Sequence, residues 1–164
     1  MDHIIDVAAY NCDEYRRQQC SHICETKLHK LLYLCQREML AIVNEPMFEE
    51  PFEAWVHGPV STAVRSHFLN SRMNVKTKEV SNDAKYVVNN VIATYGGYTA
   101  TQLSDLTHAE SSWINARVGY EPNEAGKEYL ALDDIRSDAA KVRPYDHVWD
   151  MYYDEFDDAE VPDT

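Results

Sequence analysis

No apolar run in this chain approaches the ~20 residues needed to cross a bilayer. The first residues, Met1-Asp2-His3, offer neither the basic start nor the apolar stretch of a secretion signal, so a cytoplasmic location is expected. Cysteine is scarce and unevenly placed: Cys12, Cys20, Cys24 and Cys35 all fall in the first 35 residues, and without export they are expected as thiols. No Gly/Ser-rich linker divides the 164 residues, and no repeat organises them, which points to one domain large enough to bury its own core. Basic residues are the other shortage. Fifteen Lys and Arg face 28 Asp and Glu, a net charge of −13, which disfavours direct binding to nucleic acid or membrane surfaces and favours a basic partner. The excess is concentrated: residues 133–164 hold 11 acids against 3 bases.

Apolar periodicity predicts a mainly α fold with one or two short strands, arranged around a long central helix. Ile4, Ile5, Ala8, Cys12 and Tyr15 mark an amphipathic helix over 3–18. Leu28, Leu31, Leu32, Cys35, Met39 and Ile42, widened by Leu34 and Leu40, mark the central one over 25–43, with Lys27, Lys30 and Arg37 on its polar side. Phe52, Ala54 and Val56 alternate with polar or aromatic neighbours as a strand does, and Gly58-Pro59 is expected to open a helix with proline in its first turn. Residues 70–81 are polar and expected as a loop, with a short strand over Val75–Val80. Ala84 to Tyr95 fits a helix, with Gly96 or Gly97 as its left-handed stop. Thr99-x-x-Gln102 and Thr107-x-x-Glu110 both have the spacing of a capping box, and Glu121-Pro122 is expected to open a helix to about 132. After Pro144, the aromatic residues Tyr145, Trp149, Tyr152, Tyr153 and Phe156 fall on one helical stripe among Asp146, Asp150, Asp154, Asp157 and Asp158. The expected organisation is a helical domain over 1–132, an acidic helical extension over 133–158 and a disordered tail over 159–164.

Three stretches, KLHKLLYLCQ (27–36), FEAWVHGPV (52–60) and LSDLTHAESSWINAR (103–117), stand out together. In this order and spacing the chain resembles the Panacea domain family, known for SocA-like antitoxins and phage GepA-like proteins. The matching positions are Lys27, Leu28, Lys30, Leu31, Leu32, Tyr33 and Gln36, then Glu53, Ala54, Trp55, Gly58, Pro59 and Val60. Leu103, Leu106, Thr107, His108, Trp113, Ala116 and Arg117 complete them. The resemblance implies a compact helical domain that neutralises a toxic protein by binding it, not an enzyme. His57 departs from the pattern, which usually has an aromatic residue there.

Candidate binding residues are Tyr33, Trp55, His57, Thr107, His108 and Trp113, with Tyr145, Trp149, Tyr152, Tyr153 and Phe156 as a second set. Aromatic side chains suit the anchors of a binding surface. Backbone geometry alone also accounts for Trp55, Gly58 and Pro59, while Tyr33, His57 and His108 serve equally as core or as anchor. The aromatic stripe could dock on its own domain or in a partner's groove. Cys20-x-His22-x-Cys24 lacks the paired knuckles of a zinc site, and no metal or other cofactor is expected. Ser104, Asp105 and His108 are close in sequence, but no nucleophile elbow, oxyanion site, P-loop or dinucleotide fingerprint accompanies them, so no catalytic residue is expected. The expected function is an antitoxin that binds a basic cognate toxin and occupies its active site. The alternatives are a proteolytic adaptor delivering a toxin to a protease, and a phage-encoded anti-defence or nucleic-acid-mimic inhibitor. The toxin's identity, and whether the chain also forms homo-oligomers or only hetero-oligomers with the toxin, cannot be read from the residues.

Overall fold

The computed structural model describes residues 1–74 and 76–142. The aromatic stripe from Tyr145 to Phe156 and the tail over 159–164 lie outside the described residues. The elements follow in the order α1 (Ile4–Gln19), α2 (Glu25–Val43), β1 (Glu53–Trp55), β2 (Gly58–Val60), α3 (Thr62–Ser71), α4 (Asn82–Tyr95), α5 (Ala100–His108), α6 (Ser111–Ala116) and α7 (Leu132–Ala139). The fold is mainly α, with one two-stranded antiparallel sheet among the described residues.

Helix α2 is the centre, and its sequence explains why. Residues Leu28 to Leu40 are all buried, with α1, α3, α4, α5, α7 and β2 packed around them. Leu28, Leu31, Leu32 and Leu34 enter the continuous apolar core alongside Val87, Val88, Val91 and Ile92 of α4. Lys30 and Arg37, expected on a solvated polar side, are 1% and 5% exposed. A helix contacted on every side has no face left for water, so each buried polar group needs a protein partner. Gln36 bridges the next segment, donating to Phe48 O at 2.9 Å and accepting from Met47 N at 2.7 Å. Arg37 reaches Glu110 at 2.6 Å and Tyr95 Oη at 3.3 Å.

Helix starts are secured in two ways. Ser61, Ser81 and Thr99 cap α3, α4 and α5 locally, and Thr99 with Gln102 forms the expected capping box. The amino ends of α1 and α6 are held instead by carboxylates distant in sequence. Glu50 accepts from Ile4 N at 3.1 Å. Asp138 of α7 accepts from Ser111 N at 2.8 Å, from Ser112 N at 3.0 Å and from Tyr33 Oη at 2.9 Å. Burial raises the Asp138 pKa, but the Ser111, Ser112 and Tyr33 hydrogen bonds outweigh it and hold the carboxyl below its usual range.

Several expectations are corrected. Gly58-Pro59 does not open a helix. It forms β2, with Pro59 opposite Ala54, and the helix begins only after Ser61. Gly58 has φ +119°, a conformation that belongs in a tight hairpin and not at a helix start. Thr107 is not a cap but an interior residue of α5 whose hydroxyl donates back to Ser104 O at 2.9 Å. Glu121-Pro122 opens no helix; its stretch is turns and an extended segment that runs beside β1 before α7. Gly96 ends α4 at φ −59°, so no left-handed glycine is used there, and residues 76–80 contain no strand.

Asp138→Ala should destabilise the domain by about 3 kcal/mol, because it strips the cap of α6 and the buried acceptor of Tyr33 together. Urea denaturation measures this, and Asp138→Asn, which keeps one acceptor oxygen, should cost less.

Candidate functional site

A two-stranded hairpin leaves both outer edges with unpaired carbonyls, and a buried one must find donors for them. On one side the chain supplies a further extended segment: Ala54 N donates to Glu128 O at 2.8 Å and Leu130 N donates to Phe52 O at 2.9 Å. Side chains supply the rest. Lys30 Nζ donates to Pro59 O at 2.9 Å, Trp113 Nε1 to Trp55 O at 2.8 Å, and Arg117 Nη1 to Ala54 O at 2.8 Å. Arg117 also holds the following turns through Glu121 O at 3.2 Å and Glu124 O. Two more residues press on the hairpin from α5. His108 stacks on Trp113 with ring centroids 4.2 Å apart, while Thr107 packs under Gly58. The room is small there. A Cβ on Gly58 would lie 2.6 Å from Thr107 Oγ1 and 2.8 Å from Lys30 Cε.

Trp55, His57, Thr107, His108 and Trp113 are therefore brought together around one hairpin, as their positions in the chain suggested. They are not equivalent. Thr107 is fully buried, Trp55, His108 and Trp113 are half-buried, and His57 is exposed at the turn. Tyr33 belongs elsewhere. It is fully buried beside Asp138, Ser112 and Glu110, and burial drives its pKa far up, so it stays a neutral hydrogen-bonding phenol. Tyr145, Trp149, Tyr152, Tyr153 and Phe156 lie outside the described residues.

In front of the hairpin lies a groove of ≈ 580 Å³, bounded by the start of α2, by α3 and by the 123–127 turn. Trp55, Val56 and Val60 give it an apolar floor, and Arg65, Lys127 and Lys30 bring three cations against the single carboxylate of Glu25. Glu25 is itself engaged. Its Oε2 receives Arg65 Nη1 at 2.6 Å and His29 Nε2 at 3.0 Å, and Arg65 also lies 5.3 Å over the Trp55 ring. His29 accepts the Ser61 N–H on Nδ1 at 3.2 Å, so its proton sits on Nε2, facing Glu25. Burial lowers the His29 pKa to about 4 against the help of Glu25, and the ring is neutral at pH 7. Lys30, buried behind the floor, is lowered by that burial to about 8.

Periodicity did not single out this groove, because its residues come from four separated segments. The available signal was chemical: Lys30 and His29 sit where a helix of this apolarity has no polar face to spare. Cys20 and Cys24 are exposed, and Cys12 and Cys35 lie toward the core, where burial raises both thiols, Cys12 to about 12. Among the described residues no three His, Cys, Asp or Glu side chains gather as metal ligands, and no helix is long and apolar enough to cross a membrane.

Gly58→Ala should cost about 2–5 kcal/mol, since both the positive φ and the contact with Thr107 oppose a side chain; thermal unfolding measures it. A pH effect follows from two buried groups of opposite sign. His29 has its folded pKa, about 4, below its ordinary 6.5, so the stability it contributes is lost as pH falls through that window. Glu38, raised by burial from 4.5 to about 7 with Arg37 opposing, binds its proton more readily folded and gains stability over the same fall. The two nearly offset each other. Glu38→Gln should therefore lose on the order of 2–3 kcal/mol more than the unmodified chain between pH 7 and pH 4.5, read by urea midpoints.

A family model for the antitoxin SocA-like Panacea domain matches residues 28–114, just over half of the chain. No curated protein and no solved structure matches it. The matched span opens inside α2, includes the whole hairpin and closes in α6, one residue beyond Trp113.

Proposed function

The chain belongs to the family of SocA-like antitoxins built on the Panacea domain, and from that premise we propose that it neutralises a cognate protein toxin by binding it directly. The observation that carries the proposal is where the signature's polar groups go. Lys30, Trp113 and Arg117 direct donors onto the hairpin backbone, and Thr107 onto its own helix. Groups used this way build a rigid display and leave in front of it a groove with an apolar floor. That arrangement supports recognition of a protein surface more than a reaction.

The acidic end of the chain supplies the second part of the proposal. Residues 143–164 carry eight acids and one base, together with Tyr145, Trp149, Tyr152, Tyr153 and Phe156. Such a segment suits a basic toxin surface: charge speeds encounter and the aromatics hold the contact. Where the toxin's active site binds a polyanion, the carboxylates compete for the same cations. The proposal is blockade of the toxin, with no step routed through a protease.

Growth tests it. The reading frame beside this gene is expressed inducibly, alone and together with this protein. Arrest by the neighbour alone and recovery on co-expression is the expected result, with recovery reduced when residues 143–164 are removed. A harmless neighbour that forms no complex would remove the antitoxin reading and leave the anti-defence inhibitor in its place.

A further inference from the structure

The groove beside the hairpin has a charge opposite to that of the chain that carries it. Net charge is −13 overall, yet this groove presents Arg65, Lys127 and the buried Lys30 against Glu25 alone. Glu25 is already shared by Arg65 and His29, and His29 is neutral, so no anion in the groove remains to balance Lys30 and Lys127. Lys127 is exposed on the 123–127 turn. Lys30 has three N–H donors and places one of them, on Pro59 O. Between these cations lie the apolar surfaces of Trp55, Val56 and Val60.

Resting on the toxin-binding reading above, we propose that this groove takes an extended segment of the protein partner in which carboxylate side chains flank an apolar one. The apolar side chain covers Trp55 and Val60, and the carboxylates meet Lys127 and the outer face of Arg65. A basic segment would face three cations and is rejected; a neutral apolar one would leave them uncompensated. The groove and the acidic end of this chain thereby select opposite charges on one partner. Two contacts of opposite sign fix the partner's orientation, because turning it round would oppose like charges at both places.

The chain's three tryptophans report on the test separately: Trp55 on the groove floor, Trp113 behind it, and Trp149 in the acidic end. The probe is an acetylated, amidated peptide alternating Asp with Leu and Phe, titrated into ¹⁵N-labelled full-length protein, with Asn and Lys versions as controls. The acidic peptide should shift the Trp55 indole resonance saturably at millimolar concentration. The Asn version should bind about tenfold more weakly, the Lys version not measurably, and Lys127→Glu should weaken the acidic peptide by about tenfold. Lys127 makes no ion pair in the fold, so its replacement leaves the domain folded, which an unchanged Trp113 resonance verifies.

Equal binding of the Asp and Asn peptides, or no shift of Trp55, would overturn the proposal. So would a movement of the Trp149 resonance on Lys127→Glu without peptide, which would make the chain's own acidic end the occupant. The growth test keeps the two readings apart. If Lys127→Glu still restores growth fully while the unmodified chain does so too, this proposal fails and the antitoxin reading stands. If the unmodified chain gives no recovery, the antitoxin reading itself fails.

Discussion

A β-hairpin surrounded by helices has more backbone acceptors than its own ladder can use, and here side chains make up the difference. Lys30 from α2, with Trp113 and Arg117 from the region of α6, reach the carbonyls of Pro59, Trp55 and Ala54. Each of these bonds joins parts of the chain tens of residues apart. Removing any one donor would leave a carbonyl without its partner in a dry place, so the hairpin, the central helix and α6 stand or fall together. The groove inherits its shape from this arrangement, since its floor is the outer surface of the same hairpin.

Burying Lys30 is costly in isolation, as its lowered pKa shows. The fold tolerates the cost because a long flexible side chain can run beneath Gly58, where there is no Cβ to stop it, and still reach the far strand. Glycine, lysine and threonine at these three places thus form one steric unit. Asp138 plays a comparable part at the other end of α2. From α7 it joins the start of α6 to Tyr33. The helix that follows the family's matched span is in this way bonded to the domain's interior.

Much of this was legible in the residues. The limits of α2, from Glu25 to Val43, followed from its wide apolar stripe, and the Thr99–Gln102 capping box from its spacing. What misled was local chemistry with two uses. Gly-Pro suits a helix start and a hairpin alike, and only the pairing of Pro59 with Ala54 decides between them. Thr107-x-x-Glu110 has the spacing of a cap, but the cap of α6 comes from Asp138, which no short window includes. Lys30 and Arg37 looked like a solvated face because their acceptors, Pro59 and Glu110, lie 29 and 73 residues further on. The signature residues around the hairpin were recognised as a group, yet their separate duties became plain only from the bonds they make.

The enclosure of α2 has a consequence for how the molecule opens. From Leu28 to Leu40 no residue has a path to solvent that spares its neighbours, because helices or strands cover every side. Amide protons in that stretch have no local fluctuation through which to exchange with deuterium, and their slowest rates would measure the stability of the entire domain. The 123–127 turn, exposed at the groove's rim apart from Gly126, lies at the opposite extreme. Breathing motions at the groove would then proceed while the centre stays closed, giving the binding face room to adapt without loosening the core behind it.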